Sequence, residues 1–450
     1  MKEFISKKAT KINLLDFKSL PMRTFHITWF SFFICFFGWF GIAPLMAVVR
    51  EELQLTKEQI GSTIIASVAI TVLARLAIGW LCDRIGPRIT YTYLLILGAI
   101  PVIAIGLSNS FETFLLFRLT IGIIGASFVI TQYHSSVMFA PNVVGTANAT
   151  TAGWGNLGGG VTQMIMPLLF AGFIALGFSD NSSWRYAMVV PGIIMIVMGI
   201  IYYKYTKDTP EGNFKDLKKI KEAETGQADR SGKRENTFMT AVKDIRVWAL
   251  FFIYAASFGI ELTINNIGAI YYKDYFDLDL KTAGLIAGLF GLMNLFARSL
   301  GGYFGDKAGI KWGLKGRILF LFTVLILEGI MLITFSQMRL LPMAIAVMIL
   351  FSLCVQMAEG ATFSIVPFVN KKAVGAVSGI VGAGGNVGAV LAGFLLRSEE
   401  VSYPNALLIL GICVAVISLF SFLVRFSEKE EKIAGREIKA SLENLVSVKN

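Results

Sequence analysis

Apolar residues along this chain fall into blocks of roughly twenty or more, separated by short polar stretches. Residues 26–49 and 89–108 contain no Asp, Glu, Lys or Arg. Comparable blocks recur at about 61–82, 112–140, 144–176, 184–204, 246–272, 281–305, 316–337, 341–369, 373–396 and 402–425. A helix needs roughly 20 apolar residues to cross a bilayer's hydrocarbon core, so the pattern predicts about twelve transmembrane helices and an all-α membrane protein. The first block follows a basic leader without a small-residue cleavage pattern and reads as a retained helix, not a signal peptide. One stretch is a poor helix: "TTAGWGNLGGGVTQ" (150–163) carries five glycines and an asparagine. Each interior glycine costs about 1 kcal/mol relative to alanine, so this segment serves something beyond its own stability.

A polar stretch at 204–246 divides the blocks six and six, with the composition of a solvated linker that has room for one surface helix. The expected organisation is a terminal segment 1–25, a six-helix half 26–204, a linker 205–245, a second half 246–425 and a tail 426–450. The halves repeat each other. "ARLAIGWLCDRIG" (74–86) aligns with "ARSLGGYFGDKAG" (297–309), pairing Arg75 with Arg298 and Asp83 with Asp306 at an offset of 223. The glycine-rich stretch aligns with "VGAVSGIVGAGGNVGAV" (374–390), pairing Gly155 with Gly385 and Asn156 with Asn386 at an offset of 230. Shorter echoes are "GASF" (125–128) with "GATF" (360–363), and two "FGI" triplets. Duplicated six-helix halves imply a pseudo-twofold axis along the membrane normal and a site where the halves meet.

Charge distribution sets orientation rather than partner. The formal net charge is +11, but Lys and Arg collect in alternate connections such as "DRIGPR" and "KAGIKWGLKGR". Under the positive-inside rule these loops, both termini and the linker are cytoplasmic, in a multi-pass protein of the cell membrane. The partner surface is lipid, not nucleic acid. The four cysteines have no disulfide or zinc spacing, and only two histidines are present. No metal, cofactor or enzyme constellation is expected, and His134 reads as structural.

Arg75 is the sharpest feature. It precedes Asp83 by eight residues, about 12 Å along a helix. An arginine at that depth costs roughly 2.5–3.5 kcal/mol on insertion scales and needs a partner or cavity. Arg298 repeats it. Either a planar oxyanion lies between the two guanidinium forks, or each is held in a structural ion pair. Thr71 and Asn294 lie one turn before the arginines, positioned for ligand or backbone hydrogen bonds. The glycines permit close helix packing. They also leave Gly155, Gly385, Asn156 and Asn386 able to line a permeation path.

The loop "GWLCDRIGPR" (79–88) and "RLTIG" (118–122) resemble signatures of the major facilitator superfamily. "AGWGNLGGGVTQ" and "GAGGNVGAV" are similar to the paired signatures of its nitrate/nitrite porter family, nearest the high-affinity uptake branch. The resemblance implies that Arg75 and Arg298 bind nitrate, with nitrite also accepted, and that Phe128, Tyr254 and Phe258 flank the anion. Uptake against a negative-inside potential needs about 2.3 kcal/mol per charge per 100 mV, hence at least two cotransported protons or anion exchange. Glu261 is the first proton-carrying candidate and Glu359 the second; Glu328 reads as peripheral. Asp83, Arg84 and Arg88 are expected to form a gate latch, with Asp83 capping a neighbouring helix in the outward-facing state. Asp306 and Lys307 offer a weaker repeat, and Arg118 a structural or gating role. The leading expectation is proton-coupled nitrate uptake by alternating access. The alternatives are nitrate/nitrite antiport and, more distantly, a non-transporting anion sensor; any accessory protein is unidentified.

Overall fold

The computed structural model describes residues 8–218, 237–278, 280–397 and 401–447. The first half runs α1 (Leu20–Phe40), α2 (Met46–Leu53), α3 (Lys57–Ile85), α4 (Pro87–Ala104), α5 (Phe111–Ile121), α6 (Ser127–Met138), α7 (Val144–Ala175) and α8 (Asp180–Tyr205). The second runs α9 (Thr237–Lys243), α10 (Ile245–Phe276), α11 (Leu280–Leu292), α12 (Ala297–Ser336), α13 (Leu341–Val369), α14 (Val374–Arg397) and α15 (Tyr403–Ser418). The middle of the linker, where the sequence left room for a surface helix, lies outside the described residues. The tail forms a helix of its own, α16 (Glu428–Ser447).

Among the described residues eleven segments are long and apolar enough to cross a membrane, but one of them, Ile286–Ser336, has 51 residues. As a straight helix it would extend about 76 Å, against a hydrocarbon core of roughly 30 Å. It turns back at Gly313, whose φ of 69° and ψ of −159° are open to glycine alone. Arg317 Nη1 reaches Asp306 Oδ1 at 2.7 Å, and the rings of Phe304 and Phe320 lie 6.2 Å apart. Residues so separated in sequence meet only if two arms run antiparallel. The segment therefore makes two crossings and the bundle twelve.

Local signals place the helix ends. Thr56 and Gln59 form a capping box at the start of α3, and Pro87 opens α4 directly after Gly86, whose φ is 89°. Two predicted blocks are interrupted. A 3-10 turn at Gly122–Ala126 separates α5 from α6, and another at Met293–Leu295 separates α11 from α12. Asn294 sits in that second turn, so it does not stand one regular helical turn below Arg298.

The glycine-rich helices pack where the sequence places their side-chain-free faces. A Cβ on Gly158 would meet the backbone carbonyl of Phe33 on α1, and one on Gly155 the ring of Phe32. On α14, Gly384 and Gly388 oppose the carbonyls of Phe251 and Ala255 on α10, and Gly385 the ring of Phe258. Across the halves, Gly79 on α3 meets Gly375 on α14, and Gly302 on α12 meets Gly145 on α7. Backbone-to-backbone approach of this kind is how helices associate in lipid, where no hydrophobic force separates tail from side chain.

Gly158→Ala and Gly388→Ala should each lower thermal stability in detergent by about 1–3 kcal/mol, because backbone must yield. Gly160→Ala is the control: its Cβ would meet nothing within 4 Å. Its melting temperature should hold or rise.

Candidate functional site

Arg75 and Arg298 are both buried, and both lie in one aromatic slot between the halves. The Arg75 guanidinium stands 5.0 Å from the Phe128 ring centroid and 5.4 Å from that of Phe258. The Arg298 guanidinium stands 5.6 and 5.9 Å from the same two rings. Phe128 stacks on Tyr254 at 5.7 Å and on Phe258 at 6.2 Å. A fourth ring closes the slot: Phe363 meets Phe128 edge-on at 4.9 Å and Tyr254 at 5.0 Å. Phe363 was not among the sequence candidates. Its signal was the "GASF"/"GATF" echo, which makes it the repeat counterpart of Phe128.

The two arginines are compensated unequally. Arg298 donates through Nη2 to the Tyr254 hydroxyl at 2.7 Å. Its Nη1 contacts the Glu359 carboxylate and lies 3.7 Å from Glu261 Oε2. Glu261 in turn accepts from Asn294 Nδ2 at 2.6 Å. Arg75 has no such neighbour. It donates through Nη1 to the Gly382 carbonyl of the other half and through Nε to the Gly125 carbonyl at 3.4 Å. Among the described residues its Nη2 has no partner and no carboxylate pairs with it. Ring faces attract a desolvated cation by about 2 kcal/mol or more, but they do not neutralise it.

The remaining candidates divide. The Thr71 hydroxyl lies 2.7 Å from the Gly122 carbonyl and 3.0 Å from that of Ser67, so backbone satisfies it. Asn386 Nδ2 reaches the Val68 carbonyl of the other half at 3.4 Å. Among the described residues the side-chain oxygens of Asn156 and Asn386 have no partner. Gly155 and Gly385 seat the rings of Phe32 and Phe258, and it is Gly382 that comes to the arginine.

Two carboxylates fasten the bundle at the end that carries the basic loops. Asp83 on α3 accepts from the Gly375 and Ala376 amides at 3.0 and 2.9 Å, at the start of α14. Asp306 on α12 accepts from the Gly145 and Thr146 amides at 3.0 and 2.7 Å, and α7 has no side-chain cap of its own. Each half thus closes a helix of the other with a charge suited to the helix dipole. The sequence ranked Asp306 and Lys307 the weaker copy, yet Asp306 makes more contacts. It also accepts from the Thr146 hydroxyl at 2.7 Å and pairs with Arg317. Lys307 lies over the Tyr303 ring at 5.5 Å. Arg317, read from sequence as a loop charge, is fully buried because the hairpin folds it under Asp306.

Arg84 and Arg88 do not join these caps. Arg84 lies over Trp80, while Arg88 stacks on Tyr203 and donates to its carbonyl at 2.8 Å. Arg118 donates to the Trp39 carbonyl at 3.2 Å. His134 bridges the Tyr202 hydroxyl at 2.5 Å and the Lys207 carbonyl at 2.7 Å, tying the first half to the start of the linker.

Residues 28–393 match the family described as Major Facilitator Superfamily. The chain is 37% identical over 442 residues to High-affinity nitrate transporter 2.3 of Oryza sativa subsp. japonica, covering 98% of this chain and 84% of that one. It is 38% identical to High affinity nitrate transporter 2.5 of Arabidopsis thaliana, covering 94% and 83%. It is 30% identical to Nitrate/nitrite transporter NrtP of Nostoc punctiforme, covering 91% and 93%. Among solved structures, the proton:xylose symporter XylE superposes with a TM-score of 0.67 at 14% identity, covering 90% of this chain and 96% of that one. The human organic anion transporter MFSD10 gives 0.65 at 14%, covering 90% and 100%. These two likenesses show the fold alone.

Asp306→Asn should destabilise the protein by about 3–5 kcal/mol, because it strips the buried Arg317 of its counter-charge. Asp83→Asn retains a capping oxygen and should cost no more than about 1–2 kcal/mol. Thermal unfolding of both variants in detergent checks the difference.

Proposed function

We propose that this chain, which belongs to the major facilitator superfamily and within it to the nitrate/nitrite porter family, is a secondary transporter that takes up nitrate, and nitrite, together with protons. The observation that carries this reading is the unequal compensation of the two arginines. Arg75 holds a buried positive charge without a carboxylate among the described residues, a few ångströms from rings it shares with Arg298. A planar monovalent anion supplies what is missing. Its oxygens suit the forked donors of two guanidinium groups, and the stacked rings keep water out of the slot.

Coupling follows from competition for Arg298. With Glu359 and Glu261 ionised, their charge occupies the face of Arg298 that an anion needs. Protonation of the two carboxyls frees that guanidinium to close on an anion already drawn to Arg75. Two guanidinium groups and two carboxylates sum to zero; one anion and two protons add a net positive charge. A negative-inside potential then drives the loaded site inward by about 2.3 kcal/mol per 100 mV. The Asp83 and Asp306 caps seal the basic, cytoplasmic end and release together when the halves rock, with Arg84, Arg88 and Arg118 holding the helices around them. Thr71, Asn156, Asn386, Gly155 and Gly385 shape and brace the walls of the path. The lipid bilayer is the protein's surroundings, and both termini lie in the cytoplasm.

Arg75→Lys keeps the charge but loses the planar fork. It should lower uptake of labelled nitrate into proteoliposomes by at least about tenfold, the worth of one charge-assisted hydrogen bond. Wild-type uptake by that variant would remove the bidentate argument. Glu261→Gln and Glu359→Gln should each abolish nitrate-driven acidification of vesicles while sparing nitrate/nitrite exchange. Exchange without acidification in the wild type would make the protein an antiporter instead.

A further inference from the structure

Glu328 lies on the second arm of α12, fully buried, and neither of its carboxylate oxygens has a partner among the described residues. An ionisable side chain inside a membrane segment that pairs with no cation and caps no helix is a functional feature until shown otherwise. On α13, Gln356 is also fully buried, and neither of its amide atoms has a partner among the described residues. A buried, unsatisfied polar side chain is costly, by about 1–3 kcal/mol.

Their positions give them a use. Gln356 precedes Glu359 by three residues, so it stands on the same helical face one turn farther from the basic end. Glu328 and Glu359 lie on α12 and α13, which pack against each other, and their charges interact; Glu328 also interacts with Cys354. Beyond Glu359 lie Glu261 and Arg298. In the opposite direction Glu328 is eight residues from Ser336, where the arm ends. Between them Phe335 borders a small cavity with Gly268, Tyr271, Tyr272 and Met348. Among the described residues the Tyr271 hydroxyl has no partner. Polar atoms without partners among the described residues therefore occur at Tyr271, toward the far end of the second half, and at Glu328 and Gln356, nearer the carboxyls that contact Arg298.

We propose that Glu328 and Gln356 form a proton relay that loads Glu359 from the far side of the membrane, through the seam between the second arm of α12 and α13. This inference rests on the proton-coupled reading given above. The proton leaves the Glu328 carboxyl and crosses water held by the Gln356 amide, which accepts with its oxygen and donates with its nitrogen. It then binds the Glu359 carboxylate. Glu328 is left ionised and takes the next proton from outside. Anion and proton thus arrive by separate routes and meet only at Arg298.

The test uses purified full-length protein in liposomes loaded with a pH-sensitive dye. In Glu328→Gln, acidification driven by external nitrate should fall by at least about tenfold, while nitrate/nitrite exchange at equal pH stays within about twofold, since exchange never discharges the proton. Glu328→Asp should recover most of the acidification. Wild-type acidification in Glu328→Gln would overturn the relay and leave the coupling reading intact. Exchange that falls as far as acidification would also overturn it, by making Glu328 a structural residue. A wild-type protein that moves no protons with nitrate would overturn the coupling reading itself, and the wild type is measured first.

Discussion

A charge without a carboxylate partner among the described residues governs the centre of this molecule. Arg75 is surrounded by ring faces and two backbone carbonyls, none of which can offset a full positive charge in a medium of low polarisability. Arg298, against the same rings, is offset by acids that are themselves crowded together. The rest of the central architecture accommodates this imbalance. Gly382 presents its carbonyl to Arg75 only because α14 lies tightly against α3, and α14 lies there because Gly79, Gly375 and Gly379 let the two backbones meet. The glycine-rich helices, costly as isolated helices, are what allow the arginines to share a slot.

That tightness does not make the assembly rigid throughout. Contacts between glycine faces are shape contacts without directional bonds, so one helix can roll on the other at small cost. Directional bonds between the halves include Arg75 to Gly382 and Asn386 to Val68 near the slot, and at the basic end the reciprocal caps made by Asp83 and Asp306. Sliding surfaces near the slot and discrete fasteners at one end form a natural division of labour for two bodies that rock about a bound ligand.

Much of this was legible from residue order. The apolar blocks gave the crossings, and the offset of 223 paired the two arginines that share the slot and the two aspartates that make the reciprocal caps. The pairing of "GASF" with "GATF" contained Phe363, but one phenylalanine among 36 carries no weight until its partner is seen to line the slot. Arg317 was hidden for a different reason. A basic residue beside a loop ordinarily faces water, and only the reversal at Gly313 turns it inward beneath Asp306. Asn294 was misplaced relative to Arg298 because a 3-10 turn inside an apolar block leaves the hydrophobic pattern intact. Composition reports where a segment can live; it does not report where its hydrogen-bond pattern tightens.

The exchanged caps also bear on how such a chain is put together. Helix α7 belongs to the first half but receives its terminal carboxylate from the second, and α14 receives its own from the first. Synthesised alone, either half would carry a naked helix start and an idle acid. Severed in the linker, the two fragments would hold complementary ends, each a docking address for the other. Duplication of a six-helix unit thus left a pair of mutual dependents rather than two self-sufficient lobes, and the cell must finish both before either is whole.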